Sequence, residues 1–169
     1  NPIEGQLWYN TTANTARYRI PNLLASWRTA NNANTARASG VGAGTQTSAI
    51  VFGGFSNPPP VRYANAETYD GTSFSETGDL NTARNALGGA GASSTSAIAI
   101  GGYAPPGNQA VVETWDGSSW TEVGDLNTSR ANLSAAGIAT AAIGFGGYAS
   151  DYEAKAETWN GSSWTEVAD

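Results

Sequence analysis

The fold is decided by residues 113–130, ETWDGSSWTEVGDLNTSR, because the chain contains this stretch in three closely related copies. An earlier copy at residues 67–84 reads ETYDGTSFSETGDLNTAR, and a later one at residues 157–169 reads ETWNGSSWTEVAD. The copies begin 46 residues (67 to 113) and then 44 residues (113 to 157) apart. A repeat of this length is typical of solenoids and propellers. The sequence therefore predicts a protein built from repeated structural units.

Each repeat also contains a pair of glycines followed by an aromatic residue, at Gly53-Gly54-Phe55, Gly101-Gly102-Tyr103 and Gly146-Gly147-Tyr148. Turn-forming residues divide every repeat into four short runs that favour β-strands. In the second repeat we expect these strands at about residues 86–91, 96–101, 111–115 and 119–123. The expected unit is thus a small sheet of four short strands.

The third and fourth predicted strands of each repeat are joined by a dipeptide that is typical of hairpin turns. These dipeptides are Asp70-Gly71, Asp116-Gly117 and Asn160-Gly161, whose residue types accept positive φ. Aromatic residues five positions apart flank each one: Tyr69 and Phe74, Trp115 and Trp120, and Trp159 and Trp164. The pattern predicts one aromatic hairpin in every repeat.

The composition bounds the function. The 169 residues include 14 acidic and 8 basic ones, for a formal charge of −6, and the basic residues are dispersed, which argues against a nucleic-acid groove. The absence of His and Cys removes the common zinc ligands, the usual general base and any disulfide framework. No apolar run approaches the roughly 20 residues of a membrane helix, and no signal peptide begins the chain. We expect no catalytic residue, metal, cofactor or membrane insertion.

Four antiparallel strands, a glycine pair ending the second strand and aromatics on the outer two together resemble the blade of a kelch-like β-propeller. Kelch repeats carry a double glycine followed by a tyrosine and a tryptophan at set spacings, and the GGY…ETWDGSSW run is similar to that pattern. The aromatic pair here is only five residues apart, shorter than the usual kelch interval. The resemblance covers about residues 24–169 and implies an all-β fold of four-stranded antiparallel blades.

The repeats predict three blades, at about residues 34–80, 81–126 and 127–169, and a partial one. Ser26-Trp27 precedes NTAR at residues 34–37 with the spacing that Ser119-Trp120 has before NTSR, so residues 24–33 are expected to form an orphan fourth strand. Propellers typically close with about four to eight blades. The chain, which begins at Asn1 without Met, is therefore expected to be part of a larger propeller, to close by oligomerisation, or to leave its edges open.

Residues 1–23 differ from the repeats. The segment NPIEGQLWYNTTANTARYRI favours two strands, at residues 6–9 and 16–20, around a polar turn. It resembles a short hairpin that recurs in bacteriophage tail and fibre proteins, including marine phages whose structural proteins carry kelch-like repeats with NTAR and GTQTSA phrases. Residues 44–49 of this chain read GTQTSA. The resemblance implies a virion protein.

The recurring charged residues are interpreted as structural. A catalytic acid is needed once, whereas these positions occur in every blade, namely Glu67, Glu113 and Glu157, and Arg37, Arg84 and Arg130. We expect the arginines to bridge neighbouring blades by pairing with a repeated Glu or with backbone carbonyls, because a guanidinium offers five donors. A ring of arginines that binds an anionic ligand is the alternative.

The segments that differ between blades are the candidate binding loops, at residues 55–65, 103–110 and 148–156. Variable loops on a rigid scaffold are where recognition tends to occur, and tyrosines supply rigid contacts there. The candidate residues are Arg62, Tyr63, Tyr103, Asn108, Gln109, Asp151, Tyr152 and Lys155. The alternative is that these loops are tolerated surface insertions.

Three functional hypotheses follow. The first is a non-enzymatic, homo-oligomeric virion component of a phage tail or fibre that binds a host surface glycan or protein, or a neighbouring virion protein. The second is a self-assembly module whose blades pair between copies. The third is a sialidase-like carbohydrate-active propeller, since Tyr18 to Pro21 reads YRIP and resembles the sialidase motif whose arginine, here Arg19, grips a carboxylate. TWDGSSW departs from the Asp box of those enzymes by placing Gly directly after Asp.

Overall fold

The protein is all-β. A computed structural model describes residues 7–10, 15–18 and 29–167. All secondary-structure elements in these ranges are β-strands. β1 (Leu7–Asn10) pairs antiparallel with β2 (Thr15–Tyr18). Of the predicted orphan strand, residues 24–28 lie outside the described residues, and residues 29–33 are not in a strand. Arg19 also lies outside the described residues.

Three four-stranded sheets follow, one for each repeat, and they confirm the predicted blade. Their strands are β3 (Val41–Thr45), β4 (Ser48–Phe52), β7 (Ala66–Tyr69) and β8 (Phe74–Glu76); β9 (Gly88–Ser93), β10 (Ser96–Ile100), β13 (Val112–Trp115) and β14 (Trp120–Glu122); and β15 (Ser134–Ile138), β16 (Ala141–Phe145), β17 (Ala156–Trp159) and β18 (Trp164–Glu166). All neighbours within a sheet are antiparallel and in sequence order. We call these sheets blades 1, 2 and 3.

The predicted strand limits of blade 2 agree with the observed ones to within two residues. The largest difference is at the first strand, which is shifted by two residues and runs from Gly88 to Ser93 instead of from 86 to 91. Ala86 has a φ of 55°, in the left-handed region, and its N–H donates to the carbonyl of Ser39 in blade 1 at 2.9 Å. A residue tied to the neighbouring blade in this conformation cannot continue the ladder of its own sheet.

The hairpin turns occur where the dipeptides predicted them. Gly71, Gly117 and Gly161 have φ between 95° and 98°. The residue before each glycine accepts two backbone hydrogen bonds through its side chain, as when Asp116 Oδ1 accepts the N–H groups of Ser118 at 2.8 Å and Ser119 at 2.9 Å. The flanking aromatics face each other across the strands, with the Trp115 and Trp120 ring centroids 5.5 Å apart.

The hydrophobic core lies between the blades. Blade 1 presents Ile50, Phe52 and Ala66 to blade 2, and we call this its front face. The opposite face of blade 2 packs against it, and we call this the back face; it includes Ala97, Ala99, Trp115 and Trp120. The same arrangement recurs between the front face of blade 2 (Ile98, Ile100 and Val112) and the back face of blade 3 (Ala142, Trp159 and Trp164). Each blade is therefore stabilised by its neighbours.

The first strands of the blades pack so closely that large side chains are excluded. β9 contacts both β3 and β15. A Cβ atom added to Gly89 would clash with the side chains of Val41 and Phe52, and one added to Gly88 would lie 3.1 Å from Leu133 Cγ. This close approach requires a residue without a side chain at Gly89. No comparable contact joins β3 to β15, so the described blades form an arc and not a closed ring.

Candidate functional site

The recurring arginines and glutamates form three ion pairs, one in each blade. Arg84 Nη1 lies 2.7 Å from Glu113 Oε1, and Arg130 Nη2 lies 2.8 Å from Glu157 Oε1. All four of these side chains are fully buried. Arg37 pairs with Glu67 in the same way, although the Arg37 side chain is 9% exposed. The expected pairing of Arg with a repeated Glu is therefore present in the structure.

Each glutamate also accepts hydrogen bonds from the segment that carries the arginine. Glu113 Oε2 accepts the backbone N–H of Asn81 at 2.7 Å and the Asn81 side-chain amide at 2.8 Å. Asn127 binds Glu157 Oε2 with the same two groups. Both oxygens of Glu113 and of Glu157 thus accept hydrogen bonds, and both side chains are fully buried. Both carboxylates are thus held by donors from their own blade.

The electrostatics of the first pair follow from the same donors. Burial acts to raise the pKa of Glu67, but hydrogen bonds from the backbone of Asn34 and Thr35 and the contact with Arg37 lower it further than burial raises it. The net result is a pKa below the usual value for a glutamate. Glu67 is therefore ionised at neutral pH, as a pairing role requires.

The arginines connect neighbouring blades through their backbone, whereas their guanidinium groups stay within one blade. The Arg84 carbonyl accepts the N–H of Gly54, and the Arg84 N–H donates to the carbonyl of Tyr63, so both bonds cross from blade 2 to blade 1. The Arg84 side chain binds Glu113 and the Ala99 carbonyl, both in blade 2. The repeat pattern predicted that the arginine side chains bridge neighbouring blades. The guanidinium contacts of Arg84 instead lie within blade 2.

The variable loops lie side by side along one edge of the three blades, which we call the loop edge (residues 55–65, 103–110 and 148–156). The first two contain small ladders, β5 (Phe55–Ser56) with β6 (Val61–Arg62) and β11 (Tyr103–Ala104) with β12 (Gly107–Asn108). In the third, Tyr148 and Tyr152 form an isolated bridge. These ladders show that the loops are ordered extensions of the blades.

Several of the predicted binding residues are used to join one loop to the next. Arg62 donates to Asn85 Oδ1 at 3.1 Å and lies over the Tyr103 ring, 4.8 Å from its centroid. Asn108 donates to the carbonyls of Tyr148 and Ala149, both at 2.9 Å. Through these contacts Arg62, Tyr103 and Asn108 hold neighbouring loops of the loop edge together.

Three more predicted residues are engaged locally. Gln109 donates to two carbonyls of its own loop, at 2.9 and 3.2 Å. The Lys155 carbonyl accepts a hydrogen bond from Arg130 at 2.7 Å, and the Lys155 ammonium lies 3.5 Å from Thr128 Oγ1. Tyr63 is half-buried, and its N–H and carbonyl bind Gly54 and Arg84. All three residues are therefore tied to their own loop or to a neighbouring segment.

Asp151 and Tyr152 are the predicted residues that remain exposed and accessible. Tyr152 is 87% exposed, and its ring meets that of Tyr148 edge-on with centroids 5.7 Å apart. The two tyrosines line an open cleft of about 300 Å³ together with Asn132 and Gly147. We take this cleft as the candidate site and call it the tyrosine cleft.

Tyr148 and Asn132 were not predicted as site residues. Tyr148 was read as the aromatic of the GGY repeat marker, and its equivalents Phe55 and Tyr103 are only half-exposed. A comparison of loop sequences could have found it, because YASDY is the only variable loop with two tyrosines four residues apart. Its exposure depends on tertiary contacts and has no sequence signal.

We expect Asp116→Asn to leave the unfolding midpoint at neutral pH unchanged, because Asn160 makes the same turn contacts in blade 3. Donation from the backbone of Ser119 and from the side chain and backbone of Ser118 lowers the pKa of Asp116 to about 2. A carboxylate with a lowered pKa stabilises the fold above its unfolded pKa, and this contribution is lost as the pH falls toward 2. The variant should therefore lose less stability than wild type between about pH 5 and pH 2.

Thermal unfolding at a series of pH values tests this expectation. Asp116→Ala, which removes the acceptor, serves as the control and should lower the midpoint at neutral pH as well. An Asn variant with the same acid sensitivity as wild type would show that the turn carboxylate does not contribute to it.

Comparisons with known proteins add no family: neither the protein-family search nor the search of curated proteins finds a match. Within residues 7–10, 15–18 and 29–167 there is no helix that is long and apolar enough to cross a bilayer. The same residues contain no group of three or more His, Cys, Asp or Glu side chains arranged to hold a metal ion.

Proposed function

We propose that this protein is a non-enzymatic virion component that adheres through its tyrosine cleft to a host surface or to a neighbouring virion protein. The virion assignment is supported by the resemblance of residues 1–23 and of the GTQTSA and NTAR phrases to phage tail and fibre proteins. The assignment to adhesion is carried by one observation, the exposure of Tyr152 beside Tyr148 on an otherwise joined loop edge.

The physical argument starts from the rigidity of the loop edge. Cross-loop contacts from Arg62 and Asn108 hold neighbouring loops together, so a ligand that binds there meets a preformed surface. Preformed sites lose less conformational entropy on binding. Tyrosine provides a large amphipathic contact at low entropic cost, and it is enriched among residues that dominate binding energy. An 87% exposed tyrosine is also not required for the fold.

The recurring charged residues argue against the alternative of a carbohydrate-active enzyme. Ion pairs and hydrogen bonds within the blades use Arg84, Arg130, Glu113 and Glu157. Glycosidic chemistry needs carboxyl groups that face the substrate, whereas Glu113 and Glu157 are fully buried. A binding role needs only the exposed loop surface.

We expect Tyr152→Ala to weaken adsorption of the labelled protein to its target cells by about tenfold or more, because truncation of a dominant interface tyrosine typically costs at least 1 to 2 kcal/mol. Flow cytometry with a panel of bacterial cells measures the adsorption, and thermal unfolding should show an unchanged midpoint. Val167→Ala is the matched control, since Val167 is exposed but lies on the outer hairpin. If Tyr152→Ala and wild type adsorb equally, the tyrosine cleft is not the adhesion site.

A further inference from the structure

The front face of blade 3 is exposed, although the equivalent faces of blades 1 and 2 are buried. Phe145 is 43% exposed, whereas the residues at the same position of the repeat, Phe52 and Ile100, are fully buried. Ile143 is partly exposed, whereas Ile50 and Ile98 are fully buried. A shallow depression of about 350 Å³ on blade 3 includes Ala136, Ile143 and Thr158 in its lining.

The back face of blade 1 shows the complementary difference. Tyr69 and Phe74 are partly exposed, whereas the tryptophans at the equivalent positions of blades 2 and 3 are buried (Trp115, Trp120, Trp159 and Trp164). Ala49 and Val51 are likewise partly exposed, and their counterparts Ala97 and Ala99 are fully buried. The two ends of the arc therefore display the two halves of an interface that the chain already forms twice.

The backbone groups at the two ends also match. Between blades 1 and 2, the Gly54 N–H donates to Arg84 O at 2.9 Å, and the Arg84 N–H donates to Tyr63 O at 3.3 Å. Gly102, Arg130 and Gln109 repeat both bonds between blades 2 and 3. In blade 3 the corresponding groups are Gly147 N–H and Glu153 O, and in blade 1 they are the carbonyl and N–H of Arg37.

Within the described part of the chain, these end groups have no backbone partner across a blade interface. The space is available as well. A Cβ atom added to Gly53 or Gly101 would lie 2.8 or 2.7 Å from the arginine carbonyl of the next blade, whereas one added to Gly146 meets only Glu153 O, at 3.8 Å. Blade 3 thus has unoccupied space at Gly146, where the arginine segment of a further blade could pack.

We propose that the front face of blade 3 docks on the back face of blade 1 in a second copy of this chain. Two such contacts, related by a twofold axis, close two three-bladed arcs into a ring of six blades. Phe145 of one copy then packs near Phe74 of the other, as Phe52 packs on Trp120 within the chain with ring centroids 4.8 Å apart. Six blades fall within the range of about four to eight at which propellers close.

A second copy is the occupant favoured by these observations because the chain itself supplies both complementary surfaces. Each contact places a front face against a back face, and two such contacts close a twofold ring when each copy is rotated by half a turn relative to the other. Exposed apolar faces of this kind otherwise remain open to non-specific association. The inference is independent of the proposed adhesion site, which lies on the loop edge.

The test is sedimentation velocity of the 169-residue chain over a concentration series that starts in the low micromolar range. Wild type should form a discrete particle of two 17.3 kDa chains. Phe145→Glu, which places a charge on the front face, and Ala49→Arg, which obstructs the back face, should each remain monomeric. Val61→Glu is the matched control, since Val61 is exposed outside both faces, and it should pair like wild type.

Mixing the two defective variants decides how the faces pair. A mixed pair retains one intact contact, the front face of the Ala49→Arg chain on the back face of the Phe145→Glu chain, so dimers should reappear. Their reappearance also shows that both variants are folded. Wild type that stays monomeric, an open-ended series of larger particles, pairing by Phe145→Glu alone, or a mixture without dimers would each overturn the proposal.

Discussion

Arg84→Ala is expected to lower the free energy of unfolding by about 3 to 5 kcal/mol, the usual result of breaking a buried ion pair by removing one partner. The Arg84 and Glu113 side chains are both fully buried. Without the guanidinium, the buried Glu113 side chain would lose its ion-pair partner and keep only the Asn81 donors. Urea unfolding followed by tryptophan fluorescence measures the loss.

Two further variants separate the charge effect from the loss of packing. Arg37→Ala should be milder, about 1.5 to 3 kcal/mol, because Arg37 is 9% exposed and water can reach the remaining Glu67. The double variant Arg84→Met with Glu113→Gln should be more stable than Arg84→Ala, because it removes both charges and keeps an acceptor for Asn81. A double variant less stable than the single one would mean that the ion pair itself, rather than relief of an unpaired charge, dominates.

Trp120→Ala is expected to destabilise the protein by about 3 to 5 kcal/mol, as truncation of a buried aromatic usually does. Trp120 is buried between blades 1 and 2, where its ring meets Phe52 edge-on. Its removal would open a cavity between two sheets that depend on each other for their core. The loss should be visible in urea unfolding as a lower midpoint with an unchanged slope.

Two variants serve as controls: Trp120→Phe, and Phe74→Ala at the equivalent position of blade 1. Trp120→Phe should cost less than Trp120→Ala, because the phenyl ring fills part of the cavity, Trp120 Nε1 has no hydrogen-bond partner, and Phe74 occupies the same position in blade 1. Phe74→Ala should be milder than Trp120→Ala when the chain is monomeric, since Phe74 is only partly buried. Equal losses at both positions would show that the inter-blade core does not account for the effect.

The hairpins and strands were predictable because their signals are local. Asp-Gly and Asn-Gly dipeptides specify the turn through φ values and an Asx contact that involve only neighbouring residues, and Gly117 adopts the predicted conformation. The start of the first strand in blade 2 was less predictable. Ala86 is removed from the strand by a bond to Ser39, a residue 47 positions earlier, and no local pattern reports that contact.

The candidate site was predictable only in part. The variable loops were found by comparing the repeats, but the roles of Arg62, Tyr103 and Asn108 depend on which residue of the next loop lies within reach. The same limit applies to Tyr148, which occupies a repeat position whose exposure differs between blades. Exposure is a property of the assembled arc, so composition and spacing do not report it.

By itself the sequence determined the unit of this protein, because a four-stranded blade follows from turn dipeptides, glycine pairs and alternating side chains that act over a few residues. Tertiary structure alone decided what each repeated residue does. Identical positions have different environments according to whether a neighbouring blade covers them: Phe52 is fully buried, while Phe145 is 43% exposed. Burial depends on contacts between distant segments, and it is these contacts that make the arginines structural and leave the tyrosine cleft and the two end faces open.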